Sequence, residues 1–225
     1  KLDSGAAGPW DPLFSIGWGS EAPSFFYFAV ATNATGNCFD FTPPGALVAE
    51  YRGAGGQMAC LTSEGALTPD VWHHVAFVFD HGDARMYVDG EAVATNAYLP
   101  EPFDTLKPPP SPDVILGRTP SGPDYSFTGE IAGLALTDAV LYDASFAPKW
   151  PLEVHTDSDG VWHFDEGVGT TIIDQTGAHD GVLSNGDWGT YDGPGCGASD
   201  GVAPTLELDF AGAVVDLSAS AHPVV

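Results

Sequence analysis

The run Val71-Trp72-His73-His74-Val75-Ala76-Phe77-Val78-Phe79-Asp80, followed by Ala84-Arg85-Met86-Tyr87-Val88-Asp89-Gly90-Glu91-Ala92-Val93-Ala94-Thr95, decides how this chain folds. Asp89-Gly90 supplies the two positive-φ positions that a type I′ hairpin turn requires. The flanking residues are rich in β-branched and aromatic types, so they read as two strands joined tightly. The second half of the first run is apolar on both alternating faces. That pattern belongs to a strand in the middle of a packed sheet.

Similar short runs recur on either side, at residues 13–18, 24–32, 37–42, 46–51, 57–62, 114–118, 127–136 and 140–142, with Gly, Pro, Asn or Asp between them. Strands this short and this regularly spaced predict an all-β sandwich or barrel. No helical period lasts three turns, and a short turn near residues 144–147 is broken by Pro148. Six prolines between Pro100 and Pro112 mark an exposed loop, because proline cannot donate to a ladder. After Lys149-Trp150-Pro151 the texture changes to shorter strand signals at 161–167, 181–183, 206–210 and 214–217, with a Gly-rich stretch at 186–201.

A length of 225 residues with 44% hydrophobic content is enough for one large sandwich. Six Lys and Arg stand against 31 Asp and Glu, a formal charge of −25. Such a surface repels phosphate backbones and anionic lipid, so neither nucleic acid nor a membrane surface is an expected partner. No apolar run reaches the roughly 18 residues a bilayer span needs. The chain opens on Lys1 with no signal-like segment, as expected for a mature or excised piece. Cys38 and Cys60 lie in separate strand-like runs, and neighbouring strands can bridge them as a disulfide. That pairing implies an oxidising compartment and leaves Cys196 over; three reduced buried thiols is the other reading.

Four separated motifs occur in order: Asp70-Val71-Trp72-His73-His74-Val75 with its continuation to Asp80, Met86-Tyr87-Val88-Asp89-Gly90-Glu91, Ile115-Leu116-Gly117-Arg118, and Phe127-Thr128-Gly129-Glu130-Ile131. Together they resemble the bacterial laminin-G-like, concanavalin A-like jelly-roll family. The resemblance implies a two-sheet antiparallel jelly-roll sandwich serving as an extracellular or cell-surface binding and adhesion module, a repeat of a larger protein. Its implied partner is a glycan or a surface protein.

Residues 151–225 resemble the beginning of the same unit, through Trp162-His163-Phe164-Asp165-Glu166-Gly167 and Leu206-Glu207-Leu208-Asp209-Phe210. Residues 1–150 then form the main part of a sandwich that lacks its opening strands. An incomplete sandwich exposes edges, so the late strands are expected to complete it, in their own chain or head to tail in a neighbouring subunit. The second arrangement would make the chain a structural subunit of a filament or surface layer.

The chemical motifs are sparse. Glycoside hydrolases share this architecture, but their Glu-x-Asp-x-x-Glu strand is not found in the sequence, and Asp165-Glu166 are adjacent and point to opposite faces of a strand. The chain is therefore read as no enzyme, with a carbohydrate-active enzyme of unrecognised site as the rival. Gly197-Ala198-Ser199-Asp200-Gly201 matches a nucleophile pattern without the strand and helix an elbow demands. His73 and His74, as neighbours on a strand, cannot share one metal. Calcium is the expected cofactor, since it favours carboxylate and carbonyl oxygens in Gly-rich turns. By resemblance its ligands would be Asp174, Gly177, Asp180 and Asp209, although Ala132-Gly133 stands where many members carry an acidic pair.

Overall fold

A computed structural model describes residues 1–4, 10–16, 25–31, 42–52, 58–96, 114–118, 126–189 and 206–209. Thirteen strands occur in this part of the chain. They are β1 (Trp10–Ile16), β2 (Phe25–Ala31), β3 (Ala46–Arg52), β4 (Met58–Ala66), β5 (Val75–Asp80), β6 (Asp83–Val88), β7 (Glu91–Asn96), β8 (Val114–Leu116), β9 (Leu134–Thr137), β10 (Ser158–Trp162), β11 (Thr171–Ile172), β12 (Gly181–Val182) and β13 (Leu206–Asp209). No helix is present among the described residues. The all-β expectation is met, and the two main sheets are a five-stranded one in the order β4-β3-β2-β1-β8 and a six-stranded one in the order β10-β9-β13-β5-β6-β7.

Alternation in each strand explains how the sheets face each other. From the first sheet Phe14, Ile16, Phe26, Phe28, Leu47, Tyr51 and Leu61 point inward, and from the second Val75, Phe77, Phe79, Met86, Leu134 and Leu136 meet them in one core. Phe77 sits at the centre, its ring 5.1 Å from that of Phe26 and 6.3 Å from that of Phe28. Burying such rings contributes about 1.5–3 kcal/mol each, before packing contacts are counted.

The outward residues of β5 are also buried, as its two apolar faces predicted. Ala76 and Val78, with Tyr87 of β6, are covered by Val140, Tyr142 and Phe146. Residues 140–142, expected as a strand, are instead part of this cover. Their apolar side chains are used for packing on a sheet face, which a strand pattern three residues long cannot distinguish from pairing. Ala135 of β9 is covered in the same way by Leu152 and Trp150. Gly133 lies against the Trp150 ring, and a Cβ there would stand 2.9 Å from it. A larger side chain at 133 would have to displace that ring.

The β6–β7 turn is the one the sequence required: Asp89 and Gly90 have φ of 52° and 82°. Gly90 is further restricted because its carbonyl accepts the Phe146 N–H at 3.0 Å and an added Cβ would fall 1.9 Å from the Phe146 oxygen. The hairpin is therefore clamped to the covering segment. The run 71–80 pairs only from Val75 onward, its first four residues lying before β5.

From the late part of the chain, β10 pairs antiparallel with β9, and β13 lies between β9 and β5, parallel to both. Every other pairing between described strands is antiparallel. The strand signals at 37–42 (save Thr42) and 214–217, the proline-rich loop from Pro100 to Pro112 and the Gly-x-Ser-x-Gly stretch lie outside the described residues.

Candidate functional site

Among the described residues three polar groupings stand out, each set by local strand geometry, beside the single buried polar residues Asp11, Ser63 and Thr137. The first crosses the five-stranded sheet on its outer face, opposite the core. Cα register places Ile115, Ser15, Tyr27, Glu50 and Cys60 in one transverse row. Glu50 is 1% exposed, and the Tyr27 hydroxyl donates to its Oε2 at 2.5 Å. Ser15 donates its hydroxyl to the Arg118 carbonyl at 3.1 Å. Cys60 is disulfide-bonded, and its partner, Cys38 or Cys196 as the only other cysteines, lies outside the described residues.

A second grouping orders the entry to β5. Asp89 accepts the His74 N–H on one oxygen at 2.9 Å and lies 2.8 Å from His73 Nδ1 on the other. His73 Nε2 accepts the Thr68 N–H at 3.2 Å, so in the neutral ring the proton sits on Nδ1 and is donated to Asp89. Burial pushes the Asp89 carboxyl up, but the hydrogen bonds from His73 and His74 outweigh it and hold the group below its ordinary value. The two histidines do diverge, His74 being buried edge-on against Phe146.

The third grouping surrounds Asp174, which is 2% exposed. Its Oδ1 accepts the N–H groups of Val161 at 2.9 Å and Thr176 at 3.0 Å. Its Oδ2 accepts the Thr176 hydroxyl at 2.5 Å, the His179 N–H at 2.9 Å and the Ala178 N–H at 3.2 Å. Burial raises the carboxyl, and these donors together lower it further, so the net position is below the ordinary aspartate value. The structure brings Asp174, Gly177 and Asp180 into one turn: Gly177, with φ of 78°, donates its N–H to the Asp174 carbonyl at 2.9 Å, and Asp180 Oδ1 accepts the Asp174 N–H at 3.0 Å. Of Asp209 only the backbone, in β13, is described.

A calcium ion needs oxygens whose lone pairs face the ion. In this turn both Asp174 oxygens face hydrogens of N–H and O–H groups, so this carboxylate is engaged by its own chain. Among the described residues no three His, Cys, Asp or Glu side chains are grouped to hold a metal. The turn instead fastens β10 to the loop beyond it, with the Trp162 indole N–H donated to the His179 carbonyl at 2.9 Å.

The sequence pointed to the Asp174 turn but not to Tyr27 with Glu50. The pair becomes visible only with the β2–β3 register, and the sole local signal was a charged residue between Ala49 and Tyr51 in an apolar strand.

Two packed sheets, an outer cover and buried carboxylates engaged by donors of their own chain define a jelly-roll sandwich module. A family model described as Laminin_G_3, concanavalin A-like lectin/glucanases superfamily, matches residues 15–145, more than half the chain, and the chain belongs to that family. No curated protein and no solved structure matches it. Lectins and glucanases share the superfamily, so the chemistry must be read from the residues.

Proposed function

We propose that the chain is an extracellular, non-catalytic binding module, part of a larger surface or matrix protein, that engages a glycan or a surface protein through its loops. One observation carries this reading: Asp11, Glu50, Asp89 and Asp174 all accept hydrogen bonds from their own chain, so these buried or half-buried carboxylates act as structural pins. A general acid and its partner base must instead face a substrate, about 5–10 Å apart. The disulfide at Cys60 supports an oxidising location. The charge of −25 favours a neutral sugar or a cationic protein face over an anionic polymer.

The test pairs a glycan and matrix-protein array with a reducing-sugar assay on every glycan retained. Retention without release of reducing ends is expected. The rival reading, a carbohydrate-active enzyme, needs a carboxylate that reaches substrate, and Glu50 beside the Tyr27 phenol is the residue that tests it. Sugar release by the natural chain that Glu50→Gln abolishes, with the fold intact by circular dichroism, would replace the binding reading with this one.

A further inference from the structure

We propose that the slot between β5 and β9 is a strand-acceptor site, and that in the assembled protein β13 of a second copy of this chain fills it. This goes beyond the binding role and does not depend on it.

The slot is defined by backbone alone. β5 is bonded to β6 on one side and β9 to β10, which leaves the facing edges of β5 and β9 open to a common partner. Leu206, Glu207, Leu208 and Asp209 pair with Val75, Ala76, Phe77 and Val78 on one side and with Leu134, Ala135, Leu136 and Thr137 on the other. These eight flanking residues are at most 6% exposed. Two rows of peptide groups at that depth cost far too much to leave unpaired, so the slot requires a strand.

β13 is the strand best suited to exchange. Of the two strands that flank it, β5 is fixed to β6 by the short His81-Gly82 turn, while β9 reaches β10 through residues 138–157. β13 has no such turn to a partner. It is four residues long and pairs parallel on both sides, the weaker geometry per residue. Residues 190–205, which is 205 − 189 = 16 residues, link it to the nearest described residue, Gly189, and include Gly193, Gly195, Gly197 and Gly201. A stretch of this length spans up to about 55 Å when extended, and the nine residues after Cys196 span about 30 Å where that cysteine is the one bridged to Cys60, either of which reaches an adjacent molecule.

The same strand in the slot of another copy makes the same backbone bonds. Exchange therefore changes only the chain-closure entropy, and concentration decides between the two arrangements. A linker of about this many residues sets a competing effective concentration of order millimolar, so exchange should dominate when chains are crowded to that level.

The experiment uses the full chain in two forms that differ only in a purification tag. They are unfolded together in denaturant with the disulfide intact, then refolded at millimolar and at micromolar concentration. Light scattering after dilution reads the mass, and capture on one tag reads the presence of the other. Refolding at millimolar concentration is expected to give species of at least twice the monomer mass carrying both tags, and micromolar refolding monomers. Excess synthetic peptide of residues 205–211, added during concentrated refolding, should reduce the mixed species several-fold by occupying the slot. Leu208→Pro, which removes a ladder N–H, should abolish it. Monomers under both conditions would overturn the proposal. So would mixed species that neither the peptide nor Leu208→Pro reduces, since these would arise from surface association.

Discussion

The β5–β6–β7 meander and the stretch 158–183 flank the same core but are held by different forces. The meander buries Phe77, Phe79, Met86 and Tyr87 almost completely and closes its two turns with His81-Gly82 and Asp89-Gly90, all four residues at positive φ. The later stretch contains strands of five, two and two residues, too short to be stable by pairing alone. There a single buried carboxylate gathers five donors from Val161, Thr176, Ala178 and His179. Apolar area spreads its stabilisation over many contacts and is indifferent to pH. A carboxylate hub concentrates stabilisation at one titratable atom group, so the two regions should fail under different conditions.

The largest effect is expected in the meander. Phe77→Ala should cost about 3–5 kcal/mol, because the cavity would lie between both sheets with no room to collapse, and guanidinium unfolding would show it as a global loss. Asp174→Ala should cost about 3 kcal/mol by stranding several buried N–H groups. Here the damage should be local, seen as faster hydrogen exchange across 161–179 with the meander unchanged; equal acceleration in both would erase the contrast.

Acid gives the same contrast without mutation. The folded carboxyl of Asp174 lies below its unfolded value, so its contribution is complete above the unfolded pKa and disappears as pH falls through the lower, folded one. Exchange at 161–179 should therefore rise below about pH 4 before exchange at β5 and β6 does. Asp89, held low in the same direction but more exposed, should add a smaller acid sensitivity near His73 and His74.

Two smaller changes sharpen the comparison. Gly90→Ala should cost about 2 kcal/mol, from the left-handed φ and from displacement of the Phe146 carbonyl, measurable as a lowered melting temperature. Lys149→Ala removes an exposed pair with Glu153 at 3.1 Å and should change stability by less than about 0.5 kcal/mol in the same assay.

The contrast also explains what was legible in the sequence. Alternation and the Asp89-Gly90 turn are local signals, so the sandwich class and the interior place of β5 could be read directly. Residues 140–142 carried a strand-like composition because apolar cover and apolar strand look alike over three positions. The late strands were expected to join the sandwich, but the seat of β13 between β5 and β9 was not legible, since those partners lie about 130 and 70 residues upstream and nothing in Leu206-Glu207-Leu208-Asp209 names them. The Asp174–Gly177–Asp180 cluster was legible as a cluster, but the donors that Asp174 gathers were not, because a carboxylate's partners are not written in its letter. Tyr27 with Glu50 required the register between two strands.

The most direct measurement is hydrogen exchange at residues 75–78 and 134–137 in the full chain. With β13 seated between them, both segments should be as slow to exchange as β6, and Leu208→Pro should release both together. Rapid exchange along these facing edges, with the rest of the six-stranded sheet still protected, would contradict the shared sheet on which the account rests.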